Sequence, residues 1–254
     1  MDASFLSVLA GAAFLAGFID AVVGGGGLIQ VPALFTVLPN ELPATILGTN
    51  KLSSIFGTAN AAWRYARRVE MPWRTTLLAA LAAFACSYFG AMAVAWLPRV
   101  WLRPLILILL IGAALYTFWR KDFGSAHRPQ CLGKHGSVMA LTIGGTIGFY
   151  DGFFGPGAGS FLIFLFIRFF GFDFLHASAA AKVVNAATNL AALCFFVPHD
   201  YWLPVLGVAM AIFNVLGSLL GTHLSLRHGS GFVRKAFLFV ASTLIVKFAW
   251  DTFS

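Results

Sequence analysis

Apolar residues run almost unbroken along this chain, and its interruptions fall at intervals that suit bilayer crossings. The first run, 3–23, carries Asp20 near its end and is cut by Gly24-Gly25-Gly26-Gly27. A short apolar piece, 28–38, follows and stops at Pro39-Asn40-Glu41-Leu42-Pro43. At about 1.5 Å per residue it covers only about half a bilayer. Together 3–38 reads as one broken helix, with full spans after it near 44–63, 75–97 and 102–119. A polar stretch, 120–136, comes next, and the plan then repeats. A second broken helix, 137–170, is cut at Gly155-Pro156-Gly157, and spans follow near 175–197, 203–225 and 233–250.

The repetition is also visible residue by residue. Adding 131 carries Gly17-Phe18-Ile19-Asp20 onto Gly148-Phe149-Tyr150-Asp151, the four glycines onto Gly155-Pro156-Gly157-Ala158, and Lys51 onto Lys182, without a gap. This divides the chain into a first repeat (1–119), a linker (120–136) and a second repeat (137–254). Each adjacent glycine costs about 1 kcal/mol relative to Ala in a helix, and irregular backbone cannot face lipid. Both breaks are therefore expected inside the protein, lining a cavity.

Composition agrees. The chain has 254 residues, 59% of them hydrophobic and 10% charged, against about 25% charged in soluble domains. No stretch is left for a soluble domain, so the partner of the surface is the lipid bilayer. The formal charge of +8 does not indicate nucleic acid, because Lys and Arg fall in short loops where they set orientation. Cys86, Cys131 and Cys194 show no metal-ligand or disulfide spacing, and no metal or cofactor is expected. No basic residue precedes the first apolar run, so that segment is expected to be retained. All seven Trp fall at predicted span ends, as an interfacial belt requires.

Loop charges decide how the halves are related. If each broken helix crossed once, the repeats would be parallel; if it turns back, they are inverted. The loop holding Arg64, Arg67, Arg68 and Arg74 has a repeat partner, Pro198-His199-Asp200-Tyr201, with no Lys or Arg. Inversion puts twelve of fourteen loop cations on one side, with Arg99 and Arg103 opposite; the parallel arrangement gives eight against six. The positive side belongs in the cytoplasm. The expected fold class is thus an all-α membrane protein, a polytopic helical bundle of two inverted repeats, each a broken or re-entrant helix followed by three spans. Linker 120–136 is expected in the cytoplasm and both termini opposite.

Asp20, Asp151, Lys51 and Lys182 are charges at bilayer depth in matched positions, each costing about 3 kcal/mol or more. One reading pairs Asp20 with Lys51 and Asp151 with Lys182 as staples; the other makes the lysines an anion site and the aspartates a charge pair or proton carriers. The breaks at Gly24, Gly25, Gly26, Gly27, Gly155, Pro156 and Gly157 would aim helix N-termini at the same anion. Asn50, Ser54 and Thr58 lie beside Lys51, and Asn185 and Asn189 share the Lys182 face at i+3 and i+7. Gly17, Gly90, Gly144, Gly148, Gly217 and Gly221 suit close helix packing instead. Tyr150 reads as packing, and His176 as either a cavity or an interface residue.

These doubled motifs, Gly17-Phe-Ile-Asp-Ala-Val-Val-Gly-Gly-Gly-Gly and Gly148-Phe-Tyr-Asp-Gly-Phe-Phe-Gly-Pro-Gly-Ala-Gly, with Gly48-Thr-Asn-Lys51 and Ala181-Lys182-Val-Val-Asn185, resemble the TauE/SafE sulfite exporter family over the full length. Ala181 stands where the first half has Asn50, so the half-sites are unequal. The resemblance implies a bacterial inner-membrane permease for sulfite, sulfoacetate or related organosulfur anions. Secondary transport of a small anion by alternating access, with a proton or other ion coupled, is the leading expectation. An anion channel is the alternative, and an intramembrane aspartyl enzyme a weaker one. No G-x-x-x-x-G-K-[ST] stretch is present to drive transport by ATP.

Overall fold

The computed structural model describes residues 3–94, 124, 127–128 and 133–253. Among them are eight helices and no strand: α1 (Ala3–Val23), α2 (Gly27–Val37), α3 (Pro43–Ala66), α4 (Trp73–Ala93), α5 (Gly133–Phe153), α6 (Ala158–Phe170), α7 (Phe174–Phe196) and α8 (Pro204–Phe253). The predicted span 102–119, most of the linker, Cys131, Trp96, Trp101 and Trp119 lie outside the described residues.

The breaks fall where four glycines and Gly-Pro-Gly stand. Gly24 (φ 79°), Gly155 (φ 93°) and Gly157 (φ 87°) adopt the left-handed backbone that other residues rarely reach. The short helices α2 and α6 follow these turns. Pro43 begins α3 and Pro204 begins α8, each at the first helical turn, where proline's missing N–H costs no hydrogen bond. The expected spans 203–225 and 233–250 form one helix by hydrogen bonding, broken at Gly229 (φ 68°, ψ −163°), so α8 has two arms.

Among the described residues, four stretches are long and apolar enough to cross a membrane: Leu6–Val23, Trp73–Ala93, Phe174–Phe196 and Pro204–Val240. Helix α3 has the length but not the hydropathy, because Thr49, Asn50, Lys51, Ser53 and Thr58 are on it, all buried. Its polar face is turned into the protein, which is how such residues are accommodated in a bilayer. Of the described tryptophans, Trp63 and Trp73 are exposed at helix ends.

Helix directions follow from side-chain register. Gly17 of α1 meets Asn214 of α8, and Gly221 meets Phe18 and Ala21. On α3, Thr49, Leu52, Gly57 and Asn60 meet Leu203, Gly207, Asn214 and Ser218 in turn. Both pairs of helices therefore run the same way. Likewise Ala79, Ala83 and Ser87 of α4 meet Gly144, Gly148 and Gly152 of α5, another parallel pair. By contrast Gly48 and Ala61 of α3 lie beside Phe196 and Ala179 of α7, so those two run oppositely. The glycines assigned to close packing, Gly17, Gly90, Gly144, Gly148, Gly217 and Gly221, all abut a neighbouring helix backbone, as small residues at membrane helix contacts do.

Candidate functional site

Four helices bring chemistry to one place. Lys51, Ser54 and Thr58 recur at i, i+3 and i+7 on α3, as do Lys182, Asn185 and Asn189 on α7, giving each helix one polar stripe. Asp20 comes from the end of α1 and Asp151 from the end of α5. They meet at a cavity of about 30 Å³ lined by Asp20, Gly24, Gly27, Asn50, Lys51, Ser54, Thr58, Asp151, Gly155, Gly159, Asn185 and Asn189. A polar cavity needs only about 10–15 Å³ to admit a water, so this one accommodates a water or two and no hydrated anion.

The ion pairs cross between the halves. Lys51 Nζ stands 2.8 Å from Asp151 Oδ2, approaching off the ideal hydrogen-bond direction, so the contact is chiefly ionic. Lys182 Nζ stands 3.4 Å from Asp20 Oδ2, longer than a charge-assisted hydrogen bond. Asp20 also accepts from Thr58 Oγ1 at 3.1 Å. The staple reading, Asp20 with Lys51 and Asp151 with Lys182, is thus not the pairing found. The two ammonium and two carboxylate groups sum to zero net charge, which suits a site where Lys51 is 3% exposed and Lys182 not at all. The side-chain oxygens of Asn50 and Asn185 have no protein partner here.

The two breaks interlock. A side chain on Gly24 would run into the backbone of Gly159, and one on Gly159 into Gly24. Ser160 Oγ donates to Val23 O at 2.8 Å, holding α6 to the end of α1. The first-turn residues Gly27 and Gly159 both line the cavity, so the N-terminal ends of α2 and α6 face it.

Other expected site residues lie just outside it. Gly25 faces an apolar groove with Leu28, Pro32, Phe239 and Val240. Gly26 packs on Ala16 and Asp20. Pro156 lies against Gly27, and its carbonyl accepts from Tyr150 at 2.7 Å. Gly157 caps α6 beside Phe161. Lys182 sits behind the lining and reaches it through Asp20. His176 is not at the cavity: it pairs with Asp173 at 2.7 Å and stacks on His127 at 3.7 Å. Ligand atoms of these three lie within 4.8 Å of one another, but Asp173 is already committed to the N-terminus of α7.

Gly159 stands in the sequence only as the last glycine of the second motif, and nothing in the sequence marks Ser160. Their partners 131 residues earlier are Leu28 and Ile29, so the duplication that flags the other residues is silent here. The Asn214 amide, which donates to Gln30 Oε1 at 3.1 Å inside the bundle, is another such case.

The family model described as sulfite exporter TauE/SafE matches residues 9–248. A probable membrane transporter protein, YfcA, of Escherichia coli strain K12 is 35% identical over 247 residues, covering 97% of this chain and 90% of the relative. Probable membrane transporter proteins of a Sinorhizobium species and of Haemophilus influenzae are 34% and 31% identical, each over 97% of this chain and over 93% and 95% of their own lengths. No solved structure matches.

Proposed function

Because the chain belongs to the sulfite exporter TauE/SafE family and is a membrane transporter, we propose that it carries a small anion by alternating access around the Lys51–Lys182 cavity. The observation that carries this reading is the crossed pairing, in which each buried ammonium is held by a carboxylate of the opposite half. Buried ion pairs that only hold helices together are replaceable by apolar packing at little loss. A pair whose carboxylate stands in for a substrate anion is not.

On this reading the structure is a closed form, its cavity of about 30 Å³ too small for the anion. As the cavity widens, an anion takes the place of Asp20 or Asp151 against an ammonium, with the N-terminal ends of α2 and α6 and the amides of Asn50, Asn185 and Asn189 as further donors. A sulfur oxyanion or organosulfonate, such as sulfite or sulfoacetate, offers compact oxygens to such a set of donors, and the matched family description supports that class. The freed aspartates would carry a coupling proton.

Two inverted repeats are the proposed frame, as in other carriers with broken helices at mid-membrane. In support, α1 and α3 run with α8, α5 runs with α4, α3 and α7 run oppositely, and Ser87 and Ala91 of α4 lie by Thr188 and Ala192 of α7 in turn, so α1, α3 and α4 oppose their counterparts 131 residues on. Residues near Leu34 return to Leu9, Ile46 and Leu206, so α2 doubles back along α1. The bacterial inner membrane, with the linker cytoplasmic and both termini periplasmic, completes the proposal.

The purified protein in liposomes, screened with sulfite, thiosulfate, a sulfonate and small carboxylates, tests it. Saturable flux of at least one is expected. Unsaturable, voltage-driven current would identify a channel instead.

A further inference from the structure

The two sides of the cavity are built from equivalent positions but not from equivalent chemistry. Between the cavity and Arg64 lies a buried cluster containing Ala21, Ala61, Tyr65, Val69 and Ala179. Its counterpart on the other side contains Ala44, Leu47, Ala91, Ala192 and Phe196. Subtracting or adding 131 pairs Tyr65 with Phe196, Ser178 with Leu47, Thr222 with Ala91, and Ser225 with Val94. Four hydroxyls on one side thus face four hydrocarbons on the other.

All four hydroxyl residues are 0% exposed. Tyr65 donates to Ala21 O at 3.0 Å and Ser178 to Val22 O at 2.9 Å, both next to Asp20 along α1. Thr222 Oγ1 and Ser225 Oγ find no protein partner at hydrogen-bond geometry, although Ser225 lies beside the Tyr65 hydroxyl. They sit at i and i+3, on one face of α8. A buried hydroxyl without a partner costs about 1–3 kcal/mol, and two neighbouring ones are explained by water between them. Outward of them opens a cavity of about 760 Å³ lined by Trp63, Arg64, Arg67, Arg68, His223 and Arg227.

The two carboxylates differ in the same sense. Asp20 is 18% exposed and loosely held, 3.4 Å from Lys182, whereas Asp151 is 7% exposed and 2.8 Å from Lys51.

We infer that waters held by Tyr65, Ser178, Thr222 and Ser225 form a one-sided path from the arginine-lined cavity to Asp20, through which Asp20 exchanges protons with that side alone. Asp151 is shut from the opposite side by Leu47, Ala91 and Phe196. The charged groups around Asp20 are Lys182 from α7, with Lys51 of α3 and Asp151 of α5 across the cavity; Arg64 of α3 and His223 and Arg227 of α8 stand at the outer end. A hydronium in the path gives its proton to the Asp20 carboxylate and leaves water. Neutral Asp20 then leaves the Lys182 ammonium uncompensated, so one proton and one negative charge of substrate enter together. That last consequence rests on the anion reading; the path itself does not.

Hydroxyl-radical footprinting of the unaltered protein in liposomes reads the path directly, since radicals form where water is bound. Oxidation of Tyr65 with Phe196 unmodified is expected. A second readout replaces Cys86, Cys131 and Cys194 by Ala and compares Ser225→Cys with Val94→Cys. A small impermeant thiol reagent added on the arginine side should label the first and not the second. Infrared difference spectra between neutral and acidic pH should add a carboxylic acid band that Asp20→Asn removes. Equal modification within either pair, no modification of Tyr65, or a band that survives Asp20→Asn overturns the proposal. None of these measurements involves an anion, so a failure of anion transport would leave them standing.

Discussion

Lys51 Nζ lies 2.8 Å from Asp151 Oδ2 in the other half of the chain, although Asp20 of its own half borders the same cavity. Neither half thus neutralises its own buried lysine in this arrangement. The site exists only where the halves meet.

This pairing predicts a non-additive stability pattern. Asp151→Asn alone leaves the Lys51 ammonium buried without its counter-charge and should cost about 3–5 kcal/mol. Adding Lys51→Met should recover most of that loss without recovering transport. Chemical unfolding of the detergent-solubilised protein measures both, and costs that simply add would show that the two residues are not coupled.

Adjacent glycines should respond oppositely. Gly24 has φ 79°, and a methyl group there meets the Gly159 backbone. The nearest atoms to one on Gly25 are side-chain atoms at 3.5–3.7 Å. Gly24→Ala should therefore abolish folding or transport, while Gly25→Ala should keep both, as yield of monodisperse protein and flux would report.

On the arginine side, Asp173 caps α7 by accepting from His176 N at 2.8 Å. Burial alone would push its carboxyl up, but hydrogen bonds from the His176 ring and backbone and the charge of His176 outweigh this and hold it below the usual range. A folded-state value below the unfolded one gives stability that is present above the unfolded value of about 3.9 and disappears as pH falls through the folded one. Asp173→Ala should cost about 1 kcal/mol at neutral pH, with the gap closing below about pH 4, as melting curves across pH would show.

The charge count predicts that a reporter inserted at Ser125 reads cytoplasmic and one at the C-terminus periplasmic. The reverse would contradict the inverted arrangement.

How much of this was legible in the sequence depends on the residue. The duplication at offset 131 exposed Asp20, Lys51, Asp151 and Lys182, because an unbalanced charge in an apolar run stands out. Helical spacing puts Ser54 and Thr58 on the Lys51 face and Asn185 and Asn189 on the Lys182 face, and all four line the cavity. The crossed pairing was hidden, since it depends on how α3 and α7 lie against each other and no spacing along one helix records that. Gly25 and Gly26 look identical to Gly24 as letters, and only the left-handed turn at Gly24 separates them. Thr222 and Ser225 look like ordinary small residues of an apolar span, because their meaning comes from what they fail to bond.

The most direct test of the central claim is saturable anion uptake by liposomes containing Lys51→Gln or Lys182→Gln protein. The lysine site predicts folded protein in the membrane for both variants, with uptake reduced to the level of empty liposomes. Wild-type saturation kinetics in both would contradict it.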